Sequence, residues 1–263
     1  MEVFTPRSLE EALDLKAAHP DAVPIHGGTD VMVALNFDRA RPDALLNLNE
    51  VAELRGSSRA NGTRRLGAGL TYKEAMSGAV AEELPALAEA SRTVGSPQIR
   101  NRGTIGGNLG TASPAGDALP PLLVEDAEVE LASVRGTRRV PLDEFLVGVK
   151  RNALEADELI VAVLLEPRRQ PQTFMKVGPR NAMVIAVCSL AVVADRERGE
   201  LRAAFGSSAP VARLVSAPID ERDTFPELVA GAASPIDDVR GTAAYRRHAL
   251  RVLTDRALER CLA

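Results

Sequence analysis

The sequence predicts an α+β protein built in lobes, with helices and strands interleaved at first and a strand-rich segment later that closes in one long helix. Three observations carry this expectation. Ser8-Leu9-Glu10-Glu11 and Thr71-Tyr72-Lys73-Glu74 are capping boxes, which open helices between short β-like runs. Glu128–Ser133 and Arg138–Pro141 read as a hairpin across Arg135-Gly136. Phe174–Val177, Met183–Ala194 and Leu201–Ser207 are long β-rich stretches, after which Thr242 caps a final helix. A chain of 263 residues is too long for one simple core and divides into two or three lobes.

In chain order, strand Glu2–Phe4 leads into a helix from Leu9, where Leu9, Ala12 and Leu13 repeat at helical spacing until His19-Pro20 ends it. Ala22–Ile25 is a short strand, Val31–Leu35 a helix, and Ala44–Leu48 the returning strand of a small β-α-β lobe over residues 1–56. The second lobe, residues 57–168, holds a strand at Arg65–Ala68, a helix from Thr71 and a helix at Pro85–Val94. Gly95-Ser96-Pro97 breaks the chain, and then come a glycine-rich stretch, a helix at Ala118–Val124, the hairpin and a closing strand at Leu159–Leu165. Glu166–Pro171 is the best linker, which leaves residues 169–263 as a separate sheet-plus-helix unit. On the last helix Tyr245, Ala249, Val252 and Leu253 share one face. Arg246, Arg247, Arg251 and Arg256 turn toward water, as a solvated face or as a surface for a partner subunit.

Two diglycine loops carry the chemistry. In Gly103–Asp117, GTIGGNLGTASPAGD, the absence of Cβ at Gly106 and Gly107 permits positive φ and close approach of backbone N–H groups to an anion. Thr104, Asn108, Thr111, Ser113 and Asp117 add polar groups suited to ligand hydroxyls. Taken alone, such a stretch reads first as a glycine-rich loop between two strands with ordinary turn chemistry. Val23–Val31, VPIHGGTDV, supplies a second loop in which a strand meets Gly27-Gly28 and Thr29-Asp30 opens a helix. Neither loop has the Walker or the Rossmann spacing. Together they suggest a ligand whose two phosphates are gripped from two sides.

Composition narrows the classes. Against 36 acidic residues stand 32 basic ones, a net charge of −4 that gives no electrostatic footprint for nucleic acid. No apolar run is long enough to span a membrane, and the N-terminus lacks a signal-peptide layout, so a cytoplasmic location is expected. The two cysteines, Cys188 and Cys261, cannot ligate a four-thiolate iron–sulfur cluster. His19, His26 and His248 are scattered, and no metal-ligand spacing or nucleophile elbow occurs, so no catalytic residue and no metal site is expected in this chain.

The segments IHGGTDVMVALN, QIRNRGTIGGNLGTASPAGDALPPLL, FMKVGPRNAMVIAV and RGTAAYRRHALRVLTDRALE, in that order, resemble the FAD-binding medium subunit of the molybdenum hydroxylases, the family of the xanthine, carbon monoxide and nicotinate dehydrogenases. The resemblance implies a two-lobed FAD-binding domain of the vanillyl-alcohol-oxidase (PCMH) type over residues 1–168. A smaller domain of the carbon monoxide dehydrogenase flavoprotein type follows over residues 169–263. It implies FAD extended between the lobes, with Pro24, Ile25, His26, Gly27, Gly28, Thr29, Asp30 and Val31 at the pyrophosphate. Thr104, Ile105, Gly106, Gly107, Asn108 and Thr111 would line the phosphates and ribityl chain, Asp117 would bind hydroxyls, and Ile160 and Lys176 would sit nearer the rings.

Some of these positions carry competing readings. Lys176 without the resemblance is a strand lysine pointing to solvent, and Asp117 is also a helix N-cap. His26 stands where the family carries an apolar residue, which reads as a backbone contact with an incidental imidazole and not as a covalent flavin link. Arg100 and Arg102 pair either with the pyrophosphate or with surface carboxylates. The function implied is electron transfer from a partner iron–sulfur small subunit through FAD to NAD, a quinone or oxygen, with hydroxylation at the molybdenum cofactor of a large subunit. The alternatives are a stand-alone FAD oxidoreductase of the same superfamily and a flavin-free structural subunit.

Overall fold

The computed structural model describes residues 1–263. The N-terminal segment forms β1 (Glu2–Phe4), α1 (Leu9–Ala18), β2 (Val23–Ile25), α2 (Val31–Asn36) and β3 (Ala44–Asn47), and its three strands lie parallel in the order β1-β3-β2. Ser8 caps α1 by accepting from the Glu11 amide. Lys16 closes its far end, donating to the carbonyls of Pro20 and Ala22 at 2.5 and 2.9 Å, so a buried ammonium satisfies a turn that would otherwise lack donors.

A second sheet follows, built from β4 (Ser57–Ala60), β5 (Thr63–Gly67), β6 (Glu128–Ser133), β7 (Gly136–Pro141) and β10 (Leu159–Leu165) in the antiparallel order β4-β5-β10-β6-β7. Between β5 and β6 lie α3 (Tyr72–Ala75), α4 (Gly78–Glu83), α5 (Pro85–Thr93), α6 (Pro97–Arg102), α7 (Ile105–Thr111) and α8 (Leu119–Val124). Between β7 and β10 lie α9 (Leu142–Phe145) and the small pair β8 (Leu146–Gly148) and β9 (Arg151–Asn152). All seven residues of β10 are buried, as its central position demands. Its pairing with β6 slips between Ile160 and Ala162, a bulge that re-aims the start of the strand.

The third sheet is a meander, β11 (Gln172–Val177), β12 (Cys188–Asp195), β13 (Glu200–Gly206) and β14 (Arg213–Pro218), followed by α10 (Phe225–Gly231) and α11 (Ala243–Leu262). Both of its faces are covered. Cys188, Leu190, Val192 and Ala194 of β12 pack with α10 and α11, whereas Ala191 and Val193 join the core beneath the first two sheets. The alternation of β12 is therefore apolar on both sides, and its burial is continuous.

Several expectations need correction. The stretch from Gly103 is not a loop throughout, because Ile105–Thr111 is helical with Thr104 as its N-cap. The strand expected from Met183 begins at Cys188, and β4, α4, α6 and α10 were not foreseen. Arg246 does not face water. It is 1% exposed, and its guanidinium donates to the carbonyls of Val187 and Ser207 and to Asp238 at 2.6, 2.5 and 2.6 Å. Tyr245, expected on the buried face, is half exposed instead. No helix is long and apolar enough to cross a membrane.

Candidate functional site: a cleft between the first two sheets

One cleft of about 310 Å³ runs between the N-terminal lobe and the second sheet. Its first wall is the loop after β2. Gly28 holds φ at +74°, which reverses the chain, and no protein group accepts a hydrogen bond from the backbone N–H of Gly27, Gly28, Thr29, Asp30 or Val31. Five consecutive free donors in a concave turn form an anion cradle. The loop lies so close to the end of α6 that a Cβ on Gly27 would stand 2.1 Å from the Arg102 carbonyl oxygen. Only glycine fits there. Arg102 and Asn49 brace the turn by donating to the His26 carbonyl at 3.2 and 2.8 Å, and Arg102 also donates to Asn49 at 2.9 Å. Arg100 donates to the carbonyls of Val94 and Gly95. Neither arginine meets a carboxylate; both hold backbone.

The second diglycine behaves differently from the expectation. Neither Gly106 nor Gly107 has positive φ, and the N-terminal amides of α7 are already used. Ile105 donates to Leu70 O, Gly106 to Ala68 O, Gly107 to Thr104 Oγ1 and Asn108 to Thr104 O, at 2.8 to 3.0 Å. Gly106 is glycine for a packing reason, since a Cβ there would lie 2.6 Å from the Ala68 Cβ. The pair of jaws is thus one donor loop facing a packed helix. The two are tied where Thr111 Oγ1 donates to Asp30 Oδ2 at 2.8 Å.

The cleft is lined by Pro24 through Val31, Thr104, Gly106, Gly107, Asn108, Thr111 and Ile160, which brings most of the expected residues to one place. The Asn108 Oδ1 atom is buried without a partner, an acceptor whose desolvation is uncompensated by protein. Ile105 does not line the cleft, because its side chain points into the core and is fully buried. Asp117 and Lys176 also lie outside it, joined to each other at 2.6 Å across the junction with the third sheet. Burial pushes the Asp117 carboxyl up and the Lys176 ammonium opposes that push. Lys176 is buried and paired, not solvated, and Asp117 gives α8 no cap bond.

Both ring nitrogens of His26 are buried without partners. Burial first, then the Arg102 and Arg55 cations, lower its pKa, so the imidazole is neutral and packs against Gly69. Ala68, Gly69, Tyr72, Leu154, Glu158 and Leu159 complete the lining and were not singled out from the sequence. Tyr72 arrives because its amide donates to Gly103 O and Thr71 bridges to Thr104, which ties the capping box of α3 to the start of α7 within the second lobe. Burial raises the Tyr72 phenol, which stays protonated. Leu154, Leu159 and Ile160 make one end apolar, and the bulge in β10 sets Ile160 there. No cluster of metal-ligating side chains is present. A free-amide cradle, apolar side chains and an orphaned acceptor in one cleft suit a ligand that carries both phosphate and a flat apolar ring.

Comparison with known proteins agrees with that chemistry. The family described as the FAD binding domain in molybdopterin dehydrogenase matches residues 1–167. The xanthine dehydrogenase FAD-binding subunit of Escherichia coli O157:H7 is 30% identical over 97% of this chain and 94% of its own length. The nicotinate dehydrogenase FAD-subunit of Eubacterium barkeri is 38% identical over 71% of this chain and 66% of that protein. Among solved structures, carbon monoxide dehydrogenase from Hydrogenophaga pseudoflava superposes with a TM-score of 0.91 at 26% identity, covering 100% of this chain and 97% of that one. Quinoline 2-oxidoreductase from Pseudomonas putida 86 gives 0.90 at 27% identity, covering 99% and 95%. The protein belongs to the FAD-binding family of the molybdopterin dehydrogenases, oxidoreductases of several subunits.

Proposed function

We propose that this chain is the electron-transfer subunit of a molybdenum hydroxylase, taking electrons from an iron–sulfur small subunit while a large subunit hydroxylates the substrate at a molybdenum cofactor. The observation that carries it is the run of free amides at Gly27–Val31, placed in a cleft whose far end is apolar. Those amides would hold the pyrophosphate of FAD, with Asn108 and Thr111 at the hydroxyl-bearing chain and Ile160 against a ring. A bound flavin supplies redox chemistry in which electrons arrive singly and leave singly or in pairs. The residues of this chain position it, exclude water with Leu154, Leu159 and Ile160, and keep a neutral phenol and imidazole at the walls. NAD, a quinone or oxygen would be the final acceptor.

The reading includes a division at about residue 168. The family match ends at residue 167 and the third sheet starts at Gln172, which support a PCMH-type FAD domain over 1–168 and a second domain over 169–263. Purification of the native complex with flavin spectroscopy and metal analysis tests the assignment. It should yield FAD, iron and molybdenum in fixed ratio to the chain. A colourless chain that refuses added FAD would indicate a structural subunit, and a partner-free chain that turns over substrate would indicate a stand-alone oxidoreductase.

A further inference from the structure

The cleft that should receive two phosphates offers them no cation. No lysine or arginine lines it, whereas the carboxylates of Asp30 and Glu158 do. An anion there is held by neutral donors, of which the free amides of Gly27–Val31 are one set. Tyr72 is the side chain placed to add another. It lines the cleft and is 6% exposed, and its hydroxyl makes no hydrogen bond to any group of the chain, although its backbone amide is held by Gly103 O at 3.0 Å. A buried phenol normally finds a partner for its O–H.

The ring stands next to the cradle. A Cβ on Gly103 would lie 3.2 Å from Tyr72 Cδ2 and Cε2, and a Cβ on Gly27 would lie 3.1 Å from Gly103 Cα, so the phenol and the first free amide lean on the same glycine. The charges that bear on the phenol are those of Asp117 and of Asp30, which belongs to the cradle loop. Together with burial, which acts most strongly, they keep the proton on the oxygen, so that the group stays a donor. A phenolate at the same point would repel phosphate.

We propose that the Tyr72 hydroxyl donates a hydrogen bond to the phosphate-bearing segment of the cofactor, an inference that rests on the FAD reading above. The cradle amides and one phenol then share an anion that no lysine or arginine of the cleft neutralises. Phe differs from Tyr only by that hydroxyl, so Tyr72→Phe removes the donor and keeps the packing against Gly103.

The test titrates the full-length chain, freed of flavin, with FAD and with ADP, which carries a pyrophosphate and no flavin, and repeats both titrations on Tyr72→Phe. The variant should bind each about tenfold to a hundredfold more weakly, the loss expected for one hydrogen bond to a charged acceptor. At saturating FAD a phosphorus NMR resonance of the bound cofactor should move, while the unfolding midpoint of the ligand-free chain stays at the parent value. Unchanged affinity for both ligands overturns the inference. So does a loss confined to FAD with ADP unaffected, which assigns the hydroxyl to the flavin or its ribityl chain. A lowered midpoint with unmoved phosphorus signals makes Tyr72 a packing residue and overturns it as well. A parent chain that binds neither ligand fails at the functional reading itself, before any variant is compared.

Discussion

Helices α2 and α8 have six residues each and similar apolar content, VMVALN against LPPLLV, yet all six residues of α8 are buried and none of α2. What lies opposite makes the difference. α8 is pressed between α5 and the β12, β13 and β14 strands, and its last carbonyl, Val124 O, accepts from the guanidinia of both Arg168 and Arg202 at 3.1 and 3.0 Å. Those cations also suit the negative end of a helix. α2 links β2 to β3 with nothing of this chain over its outer side. An apolar helix announces that a surface will be covered; it does not say by which chain.

The largest effect should come from truncation within this pair. Leu122 of α8 is 1% exposed, and Leu122→Ala should cost about 2–5 kcal/mol through lost transfer energy and a residual cavity. Phe37→Ala at the end of α2 should change stability by no more than about 0.5 kcal/mol, because the ring is already in water. Denaturant unfolding of the two variants decides it. Equal losses would mean that α2 is covered in the folded chain and the contrast is false.

Arg246 and Phe37 invert the usual rule, one a buried cation and the other an open aromatic. Removing the guanidinium in Arg246→Met strands the carbonyls of Val187 and Ser207 and leaves the Asp238 carboxylate with Arg240 and the Gly241 amide only, at an expected cost of about 2–3 kcal/mol in chemical unfolding. A loss under about 0.5 kcal/mol would show that water reaches these groups and that the site is surface after all.

Local signals made much of the fold legible. The capping box at Thr71–Glu74, the hairpin of β6 and β7 and the whole of β10 follow from residues that are neighbours in the chain. The cleft was legible through Gly27, Gly28 and the Thr104–Asn108 run, since glycines and capping groups leave short-range marks. Partners from afar were not legible. Arg246 sits on an arginine-rich helix, and only the fold reveals that two carbonyls and Asp238 wait for it. Lys176 and Asp117 are 59 residues apart and neutralise each other, which no spacing rule foretells. Glu158, just before β10, lines the cleft beside Leu159 and Ile160, while Arg138 on β7 holds its carboxyl below the usual range.

The same lesson reaches down to single atoms in the two adjacent glycines of α7. A Cβ on Gly106 meets the Ala68 Cβ and backbone at 2.6 to 2.9 Å, whereas on Gly107 it meets only Thr104 Oγ1, at 3.1 Å. Gly106→Ala should therefore lose about 1–2 kcal/mol by overpacking and, by pushing α7 off β5, lower the FAD content of the purified chain. Gly107→Ala should lie near zero, since the helix propensity gained by removing a glycine offsets a contact that a hydroxyl can yield to. Flavin absorbance per chain ranks the two, and the reverse order would mean that Gly107, not Gly106, is the point of close approach.

The smallest effect is a pH dependence beside α11, where Asp238 receives Arg246. Burial alone would raise its carboxyl, but hydrogen bonds from the Arg240 amide and guanidinium and from Arg246 hold it at about 2, below its ordinary 3.8. A carboxyl whose folded pKa is depressed adds stability that is complete above its unfolded pKa and disappears as pH falls through the folded one. Asp238→Asn should accordingly be less stable than the parent near neutral pH, by an amount that stays level down to about pH 4 and shrinks toward zero near pH 2. Urea midpoints of both proteins across that range give the difference directly. Were the gap to persist undiminished at the acid end, the anchor of α11 would rest on Arg246 and its two carbonyls alone, and burial of a cation would need no carboxylate opposite it.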